Sequence, residues 1–77
     1  MPHVIVKLYP GRTKEQKELL TKNITQAVIE SVRVPDDSIS IAIEEIEKEN
    51  WEDQVRKPDI LAKQNTIYKH SKSSRPG

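Results

Sequence analysis

A chain of 77 residues makes one small domain, near the lower limit at which folding buries enough surface to be self-sufficient. There is no cysteine, hence no disulfide or thiolate metal site, and 34% hydrophobic residues with no Phe are thin material for a private core, so homo-oligomerisation is expected. A net charge of +1 offers nucleic acid no basic field, and no apolar run approaches the ~20 residues of a membrane helix.

The first element is a strand over residues 3–8, His3-Val4-Ile5-Val6-Lys7-Leu8, rich in β-branched residues. Val4, Val6 and Leu8 share one face, in phase with Pro2, while His3, Ile5 and Lys7 share the other. Tyr9-Pro10-Gly11-Arg12 reads as a turn. Thr13 and Gln16 then have the spacing of a capping box, which predicts a helix over residues 14–32. Its apolar stripe is Leu20, Ile24, Ala27, Val28 and Ser31; Lys17 occupies the stripe one turn earlier, so the apolar face begins in the second turn. Pro35 stops the helix, because the residue before a proline avoids the helical region.

After a loop at Asp36-Asp37, residues 38–46 read as a second strand in which Ile39, Ile41 and Ile43 alternate with Ser40, Ala42 and Glu44. Strand, long helix and strand define an α/β protein: a βαβ unit with two parallel strands and a right-handed crossover. Two strands and one helix cannot close a core, so pairing with a second copy is expected to extend the sheet. Beyond Glu47 the pattern weakens. Lys57-Pro58-Asp59 reads as a turn, Ile60-Leu61-Ala62 as the start of a helical turn, and Thr66-Ile67-Tyr68 as a short strand or an interface arm. Residues 1–70 are thus one βαβ domain with a C-terminal arm, and 71–77 a polar, disordered tail. The opening stretch lacks the basic and long apolar regions of a signal peptide, so a cytoplasmic location is expected.

Pro2 heads the candidates for chemistry. Initiator methionine is commonly removed before proline, and the mature chain would then begin with a secondary amine. Such an amine is more basic than an ordinary α-amino group, whose pKa is about 7.7–8.0, and becomes a general base near neutral pH only with desolvation or a nearby positive charge. The plain alternative is a Met-Pro start with no role beyond processing. Arg12, between the first turn and the helix start, supplies a two-point carboxylate fork beside a helix N-terminus; the plain alternative is an exposed loop arginine. His3 adjoins Pro2 and could tune it or touch substrate, or be a surface strand histidine. His70 sits in the tail, two distant histidines make no metal site, and Glu44, Glu45, Glu47 and Glu49 read as a solvated edge.

The start Met1-Pro2, the strand Val4-Ile5-Val6, Gly11-Arg12-Thr13, Glu15-Gln16-Lys17, Pro35 and Ser38-Ile39-Ser40-Ile41 resemble the 4-oxalocrotonate tautomerase family, from Pro2 to about Trp51. The resemblance implies a short βαβ oligomer, without cofactor or metal, that moves a proton between oxygen and carbon of a small enol or keto carboxylic acid. It places Pro2 as the proton shuttle, Arg12 on the substrate carboxylate, and Trp51 as an aromatic wall of the pocket, a residue that would equally serve as an interface anchor. Ser40 stands where the family's best-known members have a second arginine that polarises the substrate oxygen. A monocarboxylic enol acid, such as an arylenolpyruvate, therefore fits better than a dicarboxylate. Arg56-Lys57-Pro58-Asp59-Ile60 and Ile67-Tyr68-Lys69 resemble the family's longer members, which tend to be homodimers. Two other functions fit the same residues: a non-catalytic binding module of the same fold, and a hydratase or dehalogenase of unsaturated acids with Pro2 as proton donor.

Overall fold

The computed structural model describes residues 1–76; Gly77, the end of the expected tail, lies outside the described residues. The chain forms two compact units, Met1–Glu45 and Ile46–Gly77.

The first unit is the βαβ motif. Strand β1 spans His3–Leu8, helix α1 Lys14–Val32 and strand β2 Ser40–Glu45. The strands pair in parallel, in the register His3↔Ser40, Val4↔Ile41, Ile5↔Ala42, Val6↔Ile43, Lys7↔Glu44 and Leu8↔Glu45. Gly11 turns the chain between β1 and α1 with φ of 117°, a conformation that side chains with a Cβ rarely adopt. The helix begins with the expected capping box: Thr13 Oγ1 accepts from the Gln16 amide at 3.0 Å, and the Thr13 amide donates to Gln16 Oε1 at 2.8 Å. It ends before Pro35 is reached, at Arg33, which takes the left-handed conformation (φ 56°) and donates its amide to the Ile29 carbonyl.

The half-buried stripe of α1 is Lys17, Leu20, Thr21, Ile24, Thr25, Val28 and Ile29, while Ala27 and Ser31 are exposed. The expected stripe is thus rotated by part of a turn. Threonine is admitted because its hydroxyl finds a partner on its own helix: Thr21 Oγ1 donates to the Lys17 carbonyl and Thr25 Oγ1 to the Thr21 carbonyl, at 2.9 and 2.8 Å. Leu8 and Glu45, the last row of the sheet, meet the first turns of α1. By the alternation of side chains, the Val4–Ile41 and Val6–Ile43 rows face the helix too, and the His3–Ser40, Ile5–Ala42 and Lys7–Glu44 rows lie on the opposite face.

Strand β2 starts at Ser40, two residues later than expected. Asp36–Ser38 form a 3₁₀ turn, closed by the Ser38 amide and hydroxyl on the Pro35 carbonyl at 3.1 and 2.7 Å. Pro35 therefore starts a turn as well as lying beyond the helix.

The second unit departs more from the sequence reading. A 3₁₀ turn at Lys48–Asn50 leads through Trp51 into a π-helical segment at Glu52–Ile60 and a 3₁₀ segment at Leu61–Thr66. Lys57-Pro58-Asp59 is not a turn; it lies inside the π-helical segment. In an α-helix the Pro58 ring would press on the Gln54 carbonyl four residues back, and a widened turn relieves that clash. The widening shows at Leu61, whose amide reaches the Arg56 carbonyl five residues back as well as that of Lys57. Thr66-Ile67-Tyr68 form no strand, and Tyr68 is fully exposed. The polar segment after His70 carries a turn centred on Ser74, which is 4% exposed. Ser74 Oγ meets His70 Nδ1 at 2.9 Å, and its carbonyl accepts from Gln64 Nε2 at 2.7 Å. Among the described residues Val55 is the only buried hydrophobic side chain, so neither unit closes a full core of its own.

Candidate active site

The candidate residues divide between the two ends of β1. At its start lies Pro2, half-buried, with its carbonyl accepting the Ser40 amide at 3.2 Å. That bond carries the parallel ladder one residue beyond the strand and anchors the chain terminus to β2. His3 and Ser40 face each other in register, with His3 Nδ1 and Ser40 Oγ 2.6 Å apart. Three of the expected site residues, Pro2, His3 and Ser40, are thereby brought together. Met1 is fully exposed (103%), and while it is present the Pro2 nitrogen is a tertiary amide without basicity.

At the other end of β1, Arg12 follows the Gly11 turn and stands directly before the N-cap of α1. It lines an open pocket of about 250 Å³ with Leu8, Gln16, Lys17 and Leu20. Leu8 and Leu20 give the pocket an apolar floor; Arg12, Gln16 and Lys17 give it a polar rim. The two cations differ. Lys17 Nζ is 2.8 Å from Glu45 Oε1, whereas among the described residues Arg12 has no carboxylate partner. Arg12 is accordingly the group in this pocket whose charge is available to an anion. Glu45 is exposed, as expected of a solvated edge, and is also held below the ordinary carboxylate pKa by its hydrogen bond to Lys17, by the charge of Lys17, and by the Gly11 amide.

Sequence reading passed over Lys17, Gln16, Leu8 and Leu20 as pocket residues. The available signal was Lys17 at the head of an apolar helix stripe, a place where a charge needs a partner. Within one chain the pocket does not reach Pro2, because the length of β1 separates them by about 20 Å at ~3.3 Å per residue. Trp51 belongs to the second unit, half-buried at the junction of the 3₁₀ turn and the π-helical segment. Among the described residues no group of three or more His, Asp or Glu side chains could hold a metal ion, and no helix is long and apolar enough to cross a membrane.

The first unit is thus a βαβ motif with Pro2 fastened at the start of β1 and Arg12 at the head of α1. A family model described as a tautomerase enzyme matches residues 2–55, and this chain belongs to that family, the 4-oxalocrotonate tautomerases. The chain is 41% identical over 51 residues to the 2-hydroxymuconate tautomerase of Bacillus subtilis, covering 66% of this chain and 82% of the relative. It is 34% identical over 70 residues to the tautomerase PptA of Escherichia coli, covering 90% and 92% of the two chains, so that likeness runs through the C-terminal segment. Among solved structures, YwhB, a homologue of 4-oxalocrotonate tautomerase, superposes with a TM-score of 0.60 at 42% identity over 61% of this chain and 77% of its own. The protein is therefore an enzyme of the isomerase type.

Proposed function

We propose that this protein is a cofactor-independent keto-enol tautomerase of a small enol or keto carboxylic acid, with Pro2 as its general base and acid once Met1 is removed. The observation that carries the reading is the placement of Pro2: half-buried, fastened through its carbonyl to β2, and preceded by a fully exposed Met1 open to an aminopeptidase. The neutral amine takes the enol O–H proton, the electron pair left on oxygen forms the C=O bond, and the C=C pair takes the proton back from the prolinium to make the new C–H bond at the neighbouring carbon. Atoms and oxidation state are unchanged overall.

Arg12 binds the substrate carboxylate, supported by its position at the rim of an apolar-floored pocket with no carboxylate partner among the described residues. A small acid cannot bridge about 20 Å along β1, so the Arg12 that serves a given Pro2 comes from a second copy. The exposure of Ile5 (51%), Leu19 (58%) and Val32 (58%) supports such association, and a homodimer is the assembly proposed. A cytoplasmic location accords with the absence of cysteine.

The test is ketonisation of phenylenolpyruvate by the Met1-free protein beside its Pro2→Ala variant. Loss of about 10²-fold or more in the variant is expected for removal of a general base. Equal, buffer-level rates in both would favour a binding module of the same fold. A rate on an unsaturated acid that rises toward low pH would favour a hydratase or dehalogenase, in which the charged amine donates the proton.

A further inference from the structure

On the face of the sheet away from α1, the row nearest Pro2 holds the imidazole of His3 against the hydroxyl of Ser40. The two are register partners, both exposed, with Nδ1 and Oγ 2.6 Å apart. At that distance one of them donates. A charged imidazole carries a proton on Nδ1, donates it to Oγ, and leaves the serine O–H to donate outward. A neutral imidazole protonated on Nε2 does the reverse: the serine O–H turns to Nδ1, and Oγ presents only lone pairs outward. The proton on His3 Nδ1 therefore decides whether Ser40 offers an oxyanion a donor; a charged imidazole always carries it, and a neutral one only as the Nδ1–H tautomer. The backbone of Ser40 also holds Pro2, its amide donating to the Pro2 carbonyl at 3.2 Å.

We propose that His3 and Ser40 together form an oxygen-recognition site of this enzyme, the charged imidazole orienting the Ser40 hydroxyl toward a substrate oxygen that gains negative charge. The inference rests on the tautomerase reading above. The pair fills the position where the resemblance places a second arginine, and it differs in one chemical respect: its positive charge titrates, whereas a guanidinium's does not. The other ionisable groups on this face of the two strands are Lys7 and Glu44, four residues along beyond the Ile5–Ala42 row; Asp36 and Asp37 lie in the turn before β2, and removal of Met1 would add the Pro2 amine. Helix α1 covers the opposite face and presents no charge to the pair.

The experiment measures kcat/KM for phenylenolpyruvate across pH for the Met1-free protein and for Ser40→Ala, Ser40→Thr, His3→Gln and Pro2→Ala. The His3 ring nitrogen shifts are followed by NMR in the same samples. Ser40→Ala is expected to lose about 10-fold or more where His3 is charged, the scale of one hydrogen bond to a charged group, and Ser40→Thr to restore it. In the parent protein the rate should carry a step that coincides with the NMR titration of His3 and is missing from His3→Gln. Ser40→Ala within about twofold of the parent, with the step intact, overturns the proposal. If Pro2→Ala is then inactive, the tautomerase reading stands and only the role of the pair falls. Full activity in Pro2→Ala removes that reading and this inference with it.

Discussion

Lys17 in the first turn of α1 and Glu45 at the end of β2 form a 2.8 Å ion pair that ties helix to sheet beside the Arg12 pocket. Because the pair lowers the pKa of Glu45 in the folded protein, its contribution is present above the ordinary Glu value of 4.5 and is lost as pH falls through the lowered value. Replacing Lys17 by Ala is expected to return the Glu45 pKa toward the ordinary value, followed by side-chain carboxyl NMR, and added salt to weaken the pair in the parent protein.

Arg12→Ala is expected to reduce kcat/KM for phenylenolpyruvate by about 10- to 100-fold, the scale of a charge-assisted hydrogen bond, mostly through KM. A carboxylate held equally in ground and transition states leaves kcat little changed, and the KM-to-kcat split in steady-state kinetics reads this directly. Lys17→Ala should affect KM far less, since its charge is already engaged by Glu45.

The capping box gives a stability prediction free of any assumption about activity. Thr13→Ala removes the acceptor for the Gln16 amide and should cost about 1 kcal/mol, measured by denaturant unfolding. Thr13→Ser keeps the oxygen and should lie close to the parent.

Two positions with positive φ should respond in opposite directions. Gly11→Ala forces a Cβ into φ 117° and should destabilise by about 1 kcal/mol or more, although nothing lies within 4 Å to clash with it. Arg33→Gly relieves a left-handed residue at the helix end and should stabilise by about 0.5–1 kcal/mol. Thermal melts of the two variants beside the parent decide both.

Association should show as mass action. One hydrophobic side chain is buried among the described residues, and the proposed second copy would supply the missing core, so the thermal midpoint is expected to rise with protein concentration. A midpoint independent of concentration over a hundredfold dilution would mean a self-sufficient monomer; analytical ultracentrifugation at the same concentrations distinguishes a dimer from larger assemblies.

The βαβ unit was legible because its signals are local. Period-two alternation in β1 and β2, and the three-residue spacing of Thr13 and Gln16, act within a few residues and need no knowledge of the partner element. The stripe of α1 was less legible. Ala27 reads as apolar yet is exposed, while Thr21 and Thr25 read as polar yet are half-buried, because each hydroxyl satisfies itself on the preceding turn. The π-helical segment escaped for a related reason: proline reads as a breaker, and only the widened backbone around Pro58 shows how the break is avoided.

By itself the sequence determined which chemical groups this protein has: a proline directly after Met1, an arginine before a capped helix, and an uncharged serine in the second strand. Which of them meet was decided by the tertiary structure. His3 reaches Ser40 across 37 residues and Lys17 reaches Glu45 across 28, because the crossover sets β2 in one register beside β1. The same strand holds Pro2 and Arg12 at opposite ends. Register and crossover depend on how a helix packs on a pair of strands, and a shift of one residue would turn each of these side chains to the other face.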